Sequence, residues 1–199
     1  MEKTENIIEK VKSLNLKKGD DLRTFLHLRD EYFYEKKALP IEVFNNIFLD
    51  NELNTSLKDI LSDNLEIKLM AAKYLEKAPR KEMNMQLTAW IKDPRTNAIL
   101  CKALDDDNIE VFENIALSLG TIFWRYEYDN SIAFDKMVSK FDNADDRLKI
   151  RIAQACGVYP NDKKWEYISK AFDCKPLKNA IEVLEVTMYR FGKDAPLKY

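Results

Sequence analysis

Apolar residues recur at helical spacing along almost the whole chain. Ile7, Ile8, Val11 and Leu14 form one stripe, which predicts a first helix over about 3–13. Lys17-Lys18-Gly19-Asp20 reads as a turn, and Asp20 can cap a second helix over about 21–37 that carries Leu22, Phe25, Leu26, Arg29 and Phe33 on one side. Pro40 suits the first turn of a helix over 40–49 holding Ile41, Phe44, Ile47 and Phe48. Beyond it the pattern predicts helix pairs over about 54–62 with 64–77, 94–104 with 108–127, 131–141 with 144–157, and 161–172 with 176–191. A separate helix over about 80–92, containing Met83, Leu87, Ala89 and Trp90, follows the first pair.

The pairs resemble one another. Asn108, Val111, Ala116 and Gly120 reappear 37 positions later as Asp145, Leu148, Ala153 and Gly157. Going back 44 positions, Asn108-Ile109-Glu110-Val111 corresponds to Asn64-Leu65-Glu66-Ile67, Ala116 to Ala72 and Leu119 to Leu75. Gly120, Gly157 and Gly192, three of only four glycines, are 37 and 35 residues apart, as expected of one recurring helix-ending position. Asn64, Asn108 and Asp145 can each accept hydrogen bonds from the unsatisfied amides of the helix that follows. Asp105-Asp106-Asp107, and Asp142 with Asp145 and Asp146, place negative charge at positive helix ends. Small residues (Ala71, Ala72, Ala116, Ala153, Ala155) let neighbouring helices approach closely, and Pro79, Pro160 and Pro196 stop helices shortly after their ends.

The string Leu104-Asp105-Asp106-Asp107-Asn108-Ile109-Glu110-Val111, then Ile115-Ala116-Leu117-Ser118-Leu119-Gly120, resembles the HEAT-repeat family of helical solenoids. The resemblance covers about 54–192. It implies an all-α fold: a right-handed α–α solenoid of about four HEAT-like helix pairs behind a non-repeat helical N-terminus (1–50), with a tail over 193–199, in a single domain over 1–199. It also implies that the second helices line a concave face and the first helices a convex one. The proline and arginine of better-formed repeats are absent here.

Four glycines and six prolines leave little turn material for hairpins, which excludes an all-β fold. The 32 lysines and arginines nearly balance 34 aspartates and glutamates, for a net charge of −2, so the basic surplus of a nucleic-acid binder is missing. No run approaches the ~18 apolar residues of a membrane span, and the charged start lacks a signal-peptide core. A cytoplasmic protein without membrane association is expected.

Enzyme signatures are sparse. There is no glycine-rich phosphate loop, and a nucleophilic triad would have to use His27, the single histidine, on an ordinary amphipathic helix. Cys101, Cys156 and Cys174 lie in apolar patterns and read as buried thiols; with no Cys-x-x-Cys pair, no metal or cofactor is expected. The acidic run from Asp105 fails as a calcium loop, because Glu110 and Ala116 stand where glycine and glutamate are required. HEAT-like folds include DNA glycosylases that use an acidic residue in a basic groove. The nearest match, Trp90-Ile91-Lys92-Asp93-Pro94-Arg95, reads more simply as a cap before a first-turn proline.

The richest signal is aromatic. Phe123-Trp124-Arg125-Tyr126-Glu127-Tyr128 runs past Gly120, and residues 100° apart cannot all bury on one face. Phe123 fits the core stripe, so some of Trp124, Tyr126 and Tyr128 are expected at the surface, where Trp, Tyr and Arg favour interfaces. Trp165 and Tyr167 pose the same question. Arg147 and Arg151 share a helix face that Lys149 does not. Trp124, Arg125, Tyr126, Tyr128, Arg147 and Arg151 are therefore the candidate contacts for a protein partner. The expected function is a non-enzymatic interaction module, an adaptor or scaffold or an inhibitor of the immunity type; the alternative is a HEAT-like nucleic-acid binder or glycosylase-like repair enzyme.

Overall fold

Every Asn or Asp marked above as a pair's elbow cap begins a helix. Asn64 Oδ1 accepts from the amides of Glu66 (3.0 Å) and Ile67 (3.3 Å). Asn108 Oδ1 does the same for Glu110 (3.0 Å) and Val111 (3.1 Å), and Asp145 Oδ1 for Leu148 (2.8 Å). Asp93 caps the helix that opens at Pro94. Each such cap contributes about 1 kcal/mol.

The computed structural model describes residues 4–15, 18–29, 31, 51–81, 83, 85–128 and 131–174. Among them all regular structure is helical: α1 (Thr4–Lys12), α2 (Gly19–Arg29), α3 (Asn51–Asp59), α4 (Leu65–Lys77), a 3₁₀ turn (Ala78–Arg80), α5 (Met85–Ile91), α6 (Pro94–Ala103), α7 (Ile109–Tyr126), α8 (Ser131–Ser139), α9 (Asp146–Cys156) and α10 (Lys164–Phe172). The expected helices over 40–49 and 176–191, the later part of 21–37, Gly192 and the 193–199 tail lie outside the described residues. The segment expected as one helix over 80–92 is a 3₁₀ turn followed by the shorter α5.

Helix α7 is the centre. Its Val111, Ile115, Ala116, Leu119 and Ile122 are fully buried, and it packs against α4 on one side and α9 on the other. Helices α3, α6 and α8 pack beneath α4, α7 and α9 respectively, α3 and α8 also touch α6, and α10 adds onto α9. Ser118 Oγ donates to the Leu75 carbonyl (2.8 Å), a buried bond joining α7 to α4. Ala71, Ala72, Ala116, Ala153 and Ala155 are all buried, as their small size suggested. Ile67 differs from its counterparts Val111 and Leu148, being 40% exposed where they are buried. Helices α7 and α9 each have a preceding second helix to lie against; among the described residues α4 has none.

The glycine reading needs correction. Gly120 does not end a helix; it sits within α7, where an added Cβ would lie 2.8 Å from the Ala155 carbonyl oxygen and 3.1 Å from its Cα. The glycine permits backbone-to-backbone contact with α9. Helix α7 ends instead at Glu127, which takes the left-handed conformation (φ 52°) that glycine usually supplies. Gly157 does cap α9, in right-handed geometry.

The elbow between α6 and α7 is clamped from both neighbouring pairs. Lys68 of α4 meets the Asp106 carboxylate (2.6 Å), Lys136 of α8 meets Asp105 (2.5 Å), and Lys140 donates to the Asp106 carbonyl (2.5 Å). Burial alone would push the Asp106 carboxyl up, but the Lys68 and Asn108 hydrogen bonds and the charges of Lys68 and Lys140 outweigh it and hold it below 3.8. A depressed carboxyl stabilises the fold above its unfolded value and loses that contribution as pH falls through the folded one. Lys68→Met should therefore lower the melting temperature at pH 7 and leave a smaller difference from the parent at pH 3, as thermal melts at the two pH values would record.

Gly120→Ala gives a sharper test. Helix propensity would gain about 1 kcal/mol, but the Ala155 backbone cannot yield cheaply, so a net loss of about 1–3 kcal/mol is expected in urea unfolding. Ala116→Arg should abolish folding by overpacking and burying an unpaired charge.

Candidate partner-binding face

Helices α4, α7 and α9 each turn one stripe outward. On α4 and its 3₁₀ extension it is Glu66, Met70, Lys73, Lys77 and Arg80; on α7 it is Glu110, Asn114, Leu117, Thr121 and Trp124; on α9 it is Arg147, Arg151 and Gln154. Spacings of three and four keep each set on a single side. Ion pairs tie the stripes together: Lys73 to Glu110 (2.9 Å) across α4–α7, and Arg147 (3.0 Å) and Arg151 (3.1 Å) to Glu113 across α7–α9. Met70 and Trp124 are 68% and 48% exposed on this face.

The aromatic candidates separate. Trp124, three residues from Thr121 and seven from Leu117, continues the outward stripe. Tyr126 continues the buried stripe Ile115–Leu119–Ile122; it is 3% exposed and its hydroxyl donates to the Pro79 carbonyl (3.3 Å). Tyr126 is therefore a core side chain and not the surface one expected of a partner contact. Arg125 is half-buried and donates to the carbonyls of Pro79 (2.8 Å) and Lys81 (3.2 Å), fastening the 3₁₀ turn onto α7. Tyr128 is half-buried against the core, and that burial, with the nearby Asp93 and Cys101, pushes its hydroxyl pKa up. Trp165 packs beside the Ile168 cluster, and Tyr167 meets Phe141 edge-on at 5.0 Å.

Arg147 and Arg151 share a face, as their spacing predicts, and the structure adds a joint partner in Glu113. The repeat period held the clue: 37 residues on from 113 is 150, between the two arginines. The Glu113 and Glu76 side chains are sunken (10% and 13% exposed), whereas Arg80, Arg147 and Arg151, which pair with them, stand out at 52%, 68% and 40%. The face is thus anionic beneath and cationic above. A cleft of about 250 Å³ opens there, lined by Arg80, Leu117, Gly120, Thr121, Arg151, Gln154 and Ala155.

Asp93 is buried and binds Arg95 through Nε (2.8 Å) as well as its amide. His27 is exposed, 3.8 Å from Glu31. All three cysteines are buried thiols outside any disulfide, and burial pushes the Cys156 thiol up to about 12, away from thiolate chemistry. Among the described residues no group of His, Cys, Asp or Glu is arranged to hold a metal, and no helix is long and apolar enough to cross a membrane.

Fold and face together define a protein whose regular structure, among the described residues, is all helical, with a mixed-charge, aromatic-bearing surface built from three adjacent helices. Comparison with protein-family models, curated proteins and solved structures finds no match.

The placements predict opposite outcomes for neighbouring aromatics. Tyr126→Ala should cost about 3–5 kcal/mol by emptying a core position, whereas Trp124→Ala should cost under about 1 kcal/mol. Chemical denaturation of both variants measures the difference.

Proposed function

We propose that this chain is a non-enzymatic protein-interaction module, a small HEAT-like solenoid that binds another protein through the outward face of α4, α7 and α9. The observation that carries the reading is the alignment of Met70, Leu117 and Trp124 with charged side chains on one surface of three adjacent helices. Exposed aromatic and thioether side chains framed by polar groups are a common feature of contact sites. Support for the stacked-pair arrangement comes from the recurring caps and the side-by-side packing of α4, α7 and α9. A cytoplasmic adaptor and an inhibitor of a specific protein both use such a face. The repair-enzyme alternative gains nothing from Asp93, which is spent on the α6 start and on Arg95.

Affinity capture with parent and Trp124→Ala chains, each with and without nuclease, tests the proposal. The expected result is a co-purifying protein that survives nuclease and falls at least about tenfold with Trp124→Ala, the loss of a central aromatic anchor, at unchanged melting temperature. Nuclease-sensitive material, or capture indifferent to Trp124, contradicts it.

A further inference from the structure

We infer that the cleft between α7 and α9 receives the carboxylate of an aspartate or glutamate side chain of the partner; this rests on the protein-binding reading and specifies what that partner presents. At about 250 Å³ the cleft lies below the roughly 300–1,000 Å³ of small-molecule sites, which suits one side chain rather than a cofactor. Its floor is backbone, because Gly120 brings α7 against Ala155, and Leu117 offers an apolar wall to the methylenes of an entering glutamate.

The donors flank that floor. Arg151 uses Nε on Glu113 (3.1 Å) and Nη1 on Gln154 (2.9 Å), and among the described residues its Nη2 meets no acceptor. Arg80 is engaged through Nη2 by Glu76 one turn back, and among the described residues its Nε and Nη1 meet none. Two planar guanidiniums with unspent donors match a carboxylate, the group that arginine binds most specifically. The sunken Glu113 and Glu76 hold the arginines in place in advance, so little side-chain entropy remains to be lost on binding.

Charge decides between carboxylate and phosphate. The three guanidiniums of Arg80, Arg147 and Arg151 stand against the two carboxylates of Glu76 and Glu113, so these five groups carry one positive charge in excess. One carboxylate neutralises that excess. A phosphate of a nucleic-acid chain would bring a row of further charges to a face whose other cations are only Lys77, one turn before Arg80, and Lys73, which is already paired with Glu110.

The test is an amide-resolved NMR titration of the full chain with an acetylated, amidated Gly-Glu-Gly peptide, run against the Gly-Gln-Gly peptide, inorganic phosphate and oligothymidylate. Saturable shifts are expected at Gly120, Thr121, Gln154 and Ala155 with the glutamate peptide alone. Binding should weaken at least about tenfold in R151Q and in R80Q, each having lost a charge-assisted bond. R80Q guards against misfolding, since Arg80 bonds only to Glu76 among the described residues and leaves the α7–α9 contact intact. Absent or non-saturable shifts, shifts at other residues, or binding that both variants retain would overturn the carboxylate site. If Trp124→Ala still reduced partner capture, the protein-binding reading would survive that failure. Equal or tighter binding of phosphate or oligothymidylate at these amides would overturn the choice of ligand, and with oligothymidylate the choice of partner as well.

Discussion

The architecture depends on how closely α7 can approach the helices on either side. Toward α9 the approach is limited by backbone alone: at Gly120 there is no room for even a methyl group against Ala155. Toward α4 it is fixed by the buried Ser118–Leu75 hydrogen bond and by the alanines of both helices. Side chains at the contact set interaxial distance, so glycine, alanine and serine here allow the tightest spacing. Polar backbone brought that close must be satisfied, and Ser118 does so for one carbonyl.

That spacing also makes the outward face. With α4, α7 and α9 in contact, their three polar stripes merge, and side chains on one helix reach carboxylates on the next. Glu113 is buried, so Arg147 and Arg151 compensate a carboxylate that would otherwise stand unpaired out of water, and the pairs contribute to the fold in that way. Their geometry has another consequence. Glu113 is sunken and fixed while the guanidiniums remain accessible, which orients donors toward solvent. The elbow clamps by Lys68, Lys136 and Lys140 hold the same three helix pairs in register where α7 begins.

Local chemistry was legible in the sequence. The Asn and Asp caps, the buried alanines and thiols, and the overrun of α7 past Gly120 all follow from side-chain size and hydrogen-bonding capacity. The misreadings arose where one residue type serves two ends. Glycine can end a helix or admit a neighbouring backbone, and only the position of Ala155 distinguishes these at Gly120. Phe123 packs against the core as its spacing predicts, stacked on Tyr159 at 4.7 Å, but extending Ile115–Leu119–Ile122 by four places Tyr126 in the core as well. Arg80 pairs locally with Glu76 four residues back, but its meeting with Arg151 at one cleft, like the pairing of Glu113 with Arg147 and Arg151, comes from packing between helices far apart in sequence.

Oxidative footprinting of the captured complex tests the central claim most directly. Met70 and Trp124 are exposed and readily oxidised, and Ile132 of α8, 60% exposed, reports on the opposite layer. Binding through the α4–α7–α9 face predicts that Met70 and Trp124 become protected in the complex while Ile132 labels as in the free chain. Protection of Ile132 with Met70 and Trp124 still fully labelled would place the partner on the other layer and contradict the account.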